Sequence, residues 1–158
     1  MSQSLPPPIM ELLGGRDWDR PTTRDWARVL AELPLFATVG KRHLNKVAEL
    51  AKVSRHPAGT VVIQQGDEGD AFHLILSGRA RVMGKTRARI LRTGDYFGEM
   101  ALLDGAPRSA TIMADSELQT MQIPRKAFLR LLQREPAITV AMLGELAGRV
   151  RALEKNSD

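Results

Sequence analysis

Apolar residues in the middle of the chain come in short runs, each closed by a turn signal. Thr60-Val61-Val62-Ile63 stops at Gly66-Asp67-Glu68-Gly69-Asp70, Phe72-His73-Leu74-Ile75-Leu76 at Ser77-Gly78, and Ala80-Arg81-Val82-Met83 at Gly84-Lys85. Ile90-Leu91 precedes Thr93-Gly94-Asp95, and further strands fit Ser109–Met113 and Leu118–Ile123. β-branched residues fill a pleated surface and glycine supplies the backbone angles of tight turns, so this spacing predicts an antiparallel sandwich or roll. The flanks change period. Trp26, Val29, Leu30 and Leu33 repeat at helical spacing until Pro34 interrupts, and Leu44, Val47, Ala48 and Ala51 repeat it. After Pro124, the residues Phe128, Leu131 and Leu132 predict a short amphipathic helix, and Pro136 suits the first position of another that runs to Leu153. Residues 1–28, with Pro6-Pro7-Pro8 and Gly14-Gly15 near the start, are expected to be a mobile tail. The rest divides into a helical segment (29–52), a β-roll (53–123) and C-terminal helices (124–158).

The last helix carries two apolar seams, one of Val140, Leu143, Ala147 and Val150 and one of Met142, Leu146, Arg149 and Leu153. One seam covers the β centre and the other is free to meet a second copy of the chain, which predicts a homodimer through this helix. Gly144 and Gly148 cost helix stability and admit the close approach of another element.

Composition narrows the chemistry. A chain of 158 residues suits one domain with one sizeable core. The absence of cysteine excludes disulfides, thiolate metal sites and cysteine nucleophiles. The first residues resemble no secretory signal and no apolar run reaches membrane-span length, so a cytoplasmic location is expected. The net charge of +5 is concentrated in Arg79, Arg81, Lys85, Arg87, Arg89 and Arg92, on two strands around one turn; it reads as a solvated face or as a docking surface for an acidic partner. Gly84-Lys85-Thr86 mimics the end of a P-loop but lacks the earlier glycine and the following helix. His43, His56 and His73 lack ligand-spaced partners, and His73 is expected to be a packed strand residue. No catalytic constellation can be assembled, so the chain is not expected to be an enzyme and no cofactor or metal is called for.

The stretch from Tyr96 to Ile112 carries the chemistry. Gly98 precedes a helix-forming run, Glu99 to Leu103, whose free N–H groups suit a phosphate. Gly105 and Pro107 turn the chain back, and Arg108 then offers a planar fork for two phosphate oxygens. Glu99 would repel a phosphate but accepts hydrogen bonds from an adjacent sugar hydroxyl. A cyclic nucleotide monophosphate satisfies both residues.

Phe97, Gly98, Glu99, Ala101, Leu102, Leu103, Pro107, Arg108, Ser109, Ala110 and Thr111 match the pattern F-G-E-x-A-L-L-x-x-x-P-R-S/T-A-T, so residues 96–112 resemble the phosphate-binding cassette of the cyclic nucleotide-binding domain family. Gly59 to Gly78 resembles that family's early strands and Leu33-Pro34-Leu35-Phe36 its opening helical segment. The resemblance implies a mostly β fold, an eight-stranded antiparallel, jelly-roll-like β-roll with N-terminal helices and C-terminal hinge and lid helices. It further implies that Gly98 and Glu99 contact ribose and that Arg108 pairs with the cyclic phosphate, with Met100, Ala101, Ser109 and Ala110 completing the cassette and Arg149 of the lid near the base. Serine at position 109, in the Arg-Ser-Ala order carried by the bacterial catabolite activators, leans toward cAMP, with cGMP as the second ligand. The function so implied is a cyclic nucleotide sensor that moves its terminal helices to regulate a protein partner, without reading DNA or binding membranes itself. The alternative is a nucleotide-silent dimerisation or docking module of the same fold.

Overall fold

The computed structural model describes residues 3–4, 21–84 and 88–156. Two antiparallel sheets form the centre. The first contains, in spatial order, β1 (Gln3–Ser4), β7 (Asp95–Phe97), β4 (Ala71–Ser77), β9 (Leu118–Pro124) and β2 (Lys52–His56). The second contains β3 (Val61–Ile63), β8 (Thr111–Ala114), β5 (Ala80–Met83) and β6 (Arg89–Leu91). Strands β2 to β9 form the antiparallel roll that the glycine-punctuated runs predict, with the eight strands that the family resemblance implies. β1 pairs Gln3 with Tyr96 and Ser4 with Asp95, so part of the expected tail is a sheet edge.

The unbroken apolar run of β4 has a tertiary cause. All but the last of its residues are buried, because the strand is central in its sheet and covered on both faces. Alternation sends Phe72, Leu74 and Leu76 toward the helices, where Trp26, Leu30, Phe36 and Phe128 complete one core. Ile75 points the other way and packs with Ile63, Leu91 and Phe97 inside the roll. Phe36 and Phe128 meet edge to face with ring centroids 5.9 Å apart, joining the N-terminal helices to the C-terminal ones.

Helix α1 (Thr23–Leu30) starts at a capping box: the Thr22 hydroxyl accepts from the Asp25 N–H and the Asp25 carboxylate accepts from the Thr22 N–H, each at 3.1 Å. It buries Trp26 and Ala27, so the boundary drawn at residues 28 and 29 falls inside a packed helix. Residues 1–2 and 5–20 of the expected tail lie outside the described residues. A 3-10 turn (Pro34–Phe36) and α2 (Lys41–Ala48) follow. The helical spacing seen through Ala51 ends at Ala48, since β2 begins at Lys52 to pair with β9.

The run expected to be helical from Glu99 to Leu103 is α3, Ala101–Asp104. Gly98 leaves β7 with φ +82°, so Glu99 and Met100 serve as the turn into the helix, and Gly105 in the left-handed conformation ends it. Helix α4 (Arg125–Arg134) and α5 (Pro136–Asn156) close the chain at the expected prolines. Glu135, between them, pairs with Lys46 of α2 and lies 3.8 Å from His43.

The two seams of α5 face opposite ways. Ile138 and Met142 are buried against the body, whereas Val140, Leu143 and Val150 stand 66%, 61% and 53% exposed. Leu153, the last member of the Met142 seam, is also exposed, as are the residues around it from 151 to 156. Around Gly144 and Gly148 the space is open. Within the basic stretch, Arg79 and Arg81 share the carboxylate of Asp115. Lys85 and Arg87 fall outside the described residues.

Candidate functional site

A hollow of about 1190 Å³ opens between the roll interior and the loop that runs from Gly98 to Ala110. Every residue singled out from the sequence lines it: Gly98, Glu99, Met100, Ala101, Arg108, Ser109 and Ala110 from the cassette, and Arg149 from α5. Residues far apart in the chain meet here because β7 delivers Glu99 and the strand after Pro107 returns beside it, while α5 crosses the mouth.

The two ionised cassette residues are held separately. Arg108 has a side chain only 9% exposed, and its Nη2 donates to the Ala71 carbonyl at 2.6 Å. Asp70, largely exposed, lies 3.7 Å away. Burial pulls the Arg108 pKa down and the Asp70 charge opposes that pull. Glu99, 8% exposed, accepts from Arg149 Nη2 at 2.6 Å through Oε1, while its Oε2 is buried and finds no hydrogen-bond partner among the described residues. Arg149 is further placed by Met100 Sδ at 3.4 Å and Glu145 at 3.8 Å. The Glu99 carboxylate thus meets Arg149 of α5 and not Arg108, and Arg149, expected near a base, pairs with that acid. Tyr96, buried behind the site, has its hydroxyl pushed up to about 12 by desolvation and by the Glu99 charge, with Arg149 opposing.

Gly98 is required by space as well as by φ. A Cβ there would lie 2.6 Å from the Ala71 carbonyl oxygen and 2.7 Å from Arg108 Nη1. Gly98→Ala is expected to lower stability by about 1–2 kcal/mol through the left-handed backbone alone, and to push Arg108 from its seat. Thermal melting and ligand titration check both effects; wild-type behaviour in both would contradict the close approach.

His73 supports the site from beneath. It stacks on Phe97 with centroids 4.8 Å apart and planes at 13°, is buried, and leaves Nδ1 without a partner among the described residues. The core role expected from sequence holds, and desolvation and then the nearby Arg108 charge hold its pKa at about 3. His56 contacts Thr120 at 3.4 Å and His43 faces Glu135, so the three histidines serve separate places. Two residues escaped the sequence reading: Asp70, an acid in a turn, and Arg125, the first residue of α4. Arg125 had one available signal, since a cation in a first helical turn opposes the helix dipole and needs a compensating partner.

Fold and pocket together define a β-roll receptor with a helical lid. The model of the family described as "Cyclic nucleotide-binding domain" matches residues 53–135, and the chain belongs to that family. The cAMP-dependent protein kinase regulatory subunit of Aspergillus niger is 38% identical over 114 residues, covering 69% of this chain and 27% of that protein. The N-terminal domain of a transcriptional regulator from Streptomyces coelicolor A3(2) shares the fold with a TM-score of 0.70 at 23% identity, over 80% of this chain and 95% of that one. The cAMP-bound structure of PfPKA-R superposes with a TM-score of 0.56 at 29% identity, over 79% of this chain and 47% of that one. The chain spans 29% of the length of one regulatory subunit it matches and 24% of another. Among the described residues no helix is long and apolar enough to cross a membrane.

Proposed function

We propose that the chain is a cAMP receptor whose occupancy repositions the lid helix. One observation carries the reading: Glu99 presents a buried carboxylate oxygen, Oε2, without a hydrogen-bond partner among the described residues, in the hollow that also receives Arg108. A dry, unsatisfied acceptor is costly unless a ligand donor completes it, and a ribose 2′-hydroxyl is such a donor. Arg108 then takes the cyclic phosphate through its fork, with Ser109 and the Ala110 N–H beside it. Gly98, Met100 and Ala101 form the wall on the sugar side. The names of the matched relatives, which are cAMP-dependent regulatory subunits and a cAMP-bound domain, support cAMP over cGMP.

The output follows from Arg149. Its contact with Glu99 ties α5 to the site, so a sugar arriving at that carboxylate changes what holds the lid. The chemistry is binding alone, without a covalent step. The regulated partner is a protein that reads the position of the terminal helices. The exposed stripe Val140, Leu143, Ala147 and Val150 serves a second copy of the chain.

Calorimetric titration of ligand-stripped protein tests the reading. Saturable binding of cAMP, tighter than that of cGMP, is the expected result; the absence of binding by either nucleotide would overturn it. For the dimer, a Leu143→Glu, Val150→Glu double variant is expected to halve the mass seen by light scattering, and an unaltered mass would reject that seam.

A further inference from the structure

Arg125 lies outside the hollow, yet it grips the bend that separates Glu99 from Arg108. Its Nη2 donates to the Leu103 carbonyl at 3.0 Å, across the C-terminal end of α3. The guanidinium lies against Gly105: a Cβ at that residue would sit 3.0 Å from both Cζ and Nη1 of Arg125. The backbone of Arg125 is fixed as well, since its N–H donates to the Asp70 carbonyl at 2.8 Å. Asp70 in turn directs its carboxylate to Arg108, and the Arg108 N–H donates to the Asp67 carbonyl at 2.8 Å. On the other side of the bend, the Gly69 N–H donates to the Ala106 carbonyl at 3.1 Å. The α3–Gly105 bend is therefore clamped between the β3–β4 turn and the first residue of the hinge helix α4.

We propose that Arg125 is a positioning residue for nucleotide binding: from the first position of helix α4 it holds the α3–Gly105 bend and so sets the separation of Glu99 and Arg108. The charge has a physical reason to be there. The cation faces the carbonyl end of α3, where the partial charge is negative, and a hydrogen bond from a charged donor to a carbonyl is stronger than a neutral one. Arg125 Nε is buried and unpartnered among the described residues, so the clamp has one donor free for a carbonyl of the bend when the loop shifts.

The inference rests on the nucleotide-receptor reading, and its test separates the two. Arg125→Gln and Arg125→Lys are prepared in the full chain and titrated with cAMP across a salt series, alongside melting and amide hydrogen exchange without nucleotide. Arg125→Gln is expected to weaken cAMP binding about tenfold, and to raise exchange at residues 101–106 in the unliganded protein. Arg125→Lys, which keeps the cation over the carbonyl end, is expected to recover most of both. The slope of affinity against salt is expected to match that of the wild type, because Arg125 does not itself touch the phosphate. Cyclic AMP affinity within twofold of wild type in the glutamine variant, a flattened salt slope, or lysine failing to rescue would each overturn the proposal. Failure of the wild-type chain to bind cAMP would sink the receptor reading, whereas unchanged exchange at residues 101–106 would sink the clamp on its own.

Discussion

Replacing Arg108 by alanine is expected to weaken cAMP binding by about 2–5 kcal/mol, the usual cost of truncating one partner of a buried charge pair. That corresponds to roughly 30-fold to a few thousand-fold in affinity. The magnitude follows from how the side chain is held. Its guanidinium is already almost dry and is anchored by the Ala71 carbonyl, so an arriving anion meets an oriented cation that water screens little. Alanine also strips the Ala71 carbonyl of this donor, so some loss of fold stability accompanies the loss of binding. Melting of the unliganded variant measures the first effect and calorimetric titration the second. Arg108→Lys separates charge from shape: it retains the cation and lacks the fork, and an affinity between the two extremes is expected. An alanine variant with wild-type affinity would remove Arg108 from the site.

The second large effect is on stability, through His73. In the unfolded chain its imidazole titrates at the ordinary value of 6.5, and in the folded chain at about 3. Above pH 6.5 both states are neutral and the residue makes no difference. Below it, the unfolded state takes up a proton that the folded state refuses, so stability falls as pH falls. The loss grows to about 2 kcal/mol at pH 5, and continues until the folded imidazole itself titrates near pH 3. His56, whose pKa burial also lowers, adds a slope of the same sign. Glu135, whose pKa is held down chiefly by its hydrogen bond to Lys46, adds one only as pH drops through the carboxylate range. Urea unfolding of the wild type and of His73→Phe at pH 7, 6 and 5 isolates the histidine. The phenylalanine keeps the stack on Phe97, and the difference in stability is expected to widen by about 2 kcal/mol from pH 7 to pH 5. A constant difference would mean that His73 is protonated in the core or exposed by local opening.

Arg108 and His73 show two grades of legibility. The cassette could be read because its information is local: a glycine, an acid, a one-turn helix, a glycine bend and an arginine occupy consecutive positions, and each turn depends on backbone angles available to few residue types. The strands ended by glycine were legible for the same reason. β2, Lys-Val-Ser-Arg-His, was not, since its burial does not alternate and it is extended only because β9 pairs along it. β7 was missed similarly: three residues between two glycine turns become a strand through β4 and β1.

The sequence by itself determined the β-roll with helical flanks, the family, the residues of the cassette and the apolar stripe of the last helix, because these are written in periodicity, turn chemistry and contiguous motif. Only the tertiary structure decided that Glu99 meets Arg149 instead of Arg108, that Arg108 rests on Ala71, and that Arg125 reaches back to the bend after α3. Each of these contacts joins residues at least 22 positions apart. A charged side chain has no address in its neighbours along the chain; its partner is chosen by which backbone surfaces the fold brings within reach and by how little water is left between them.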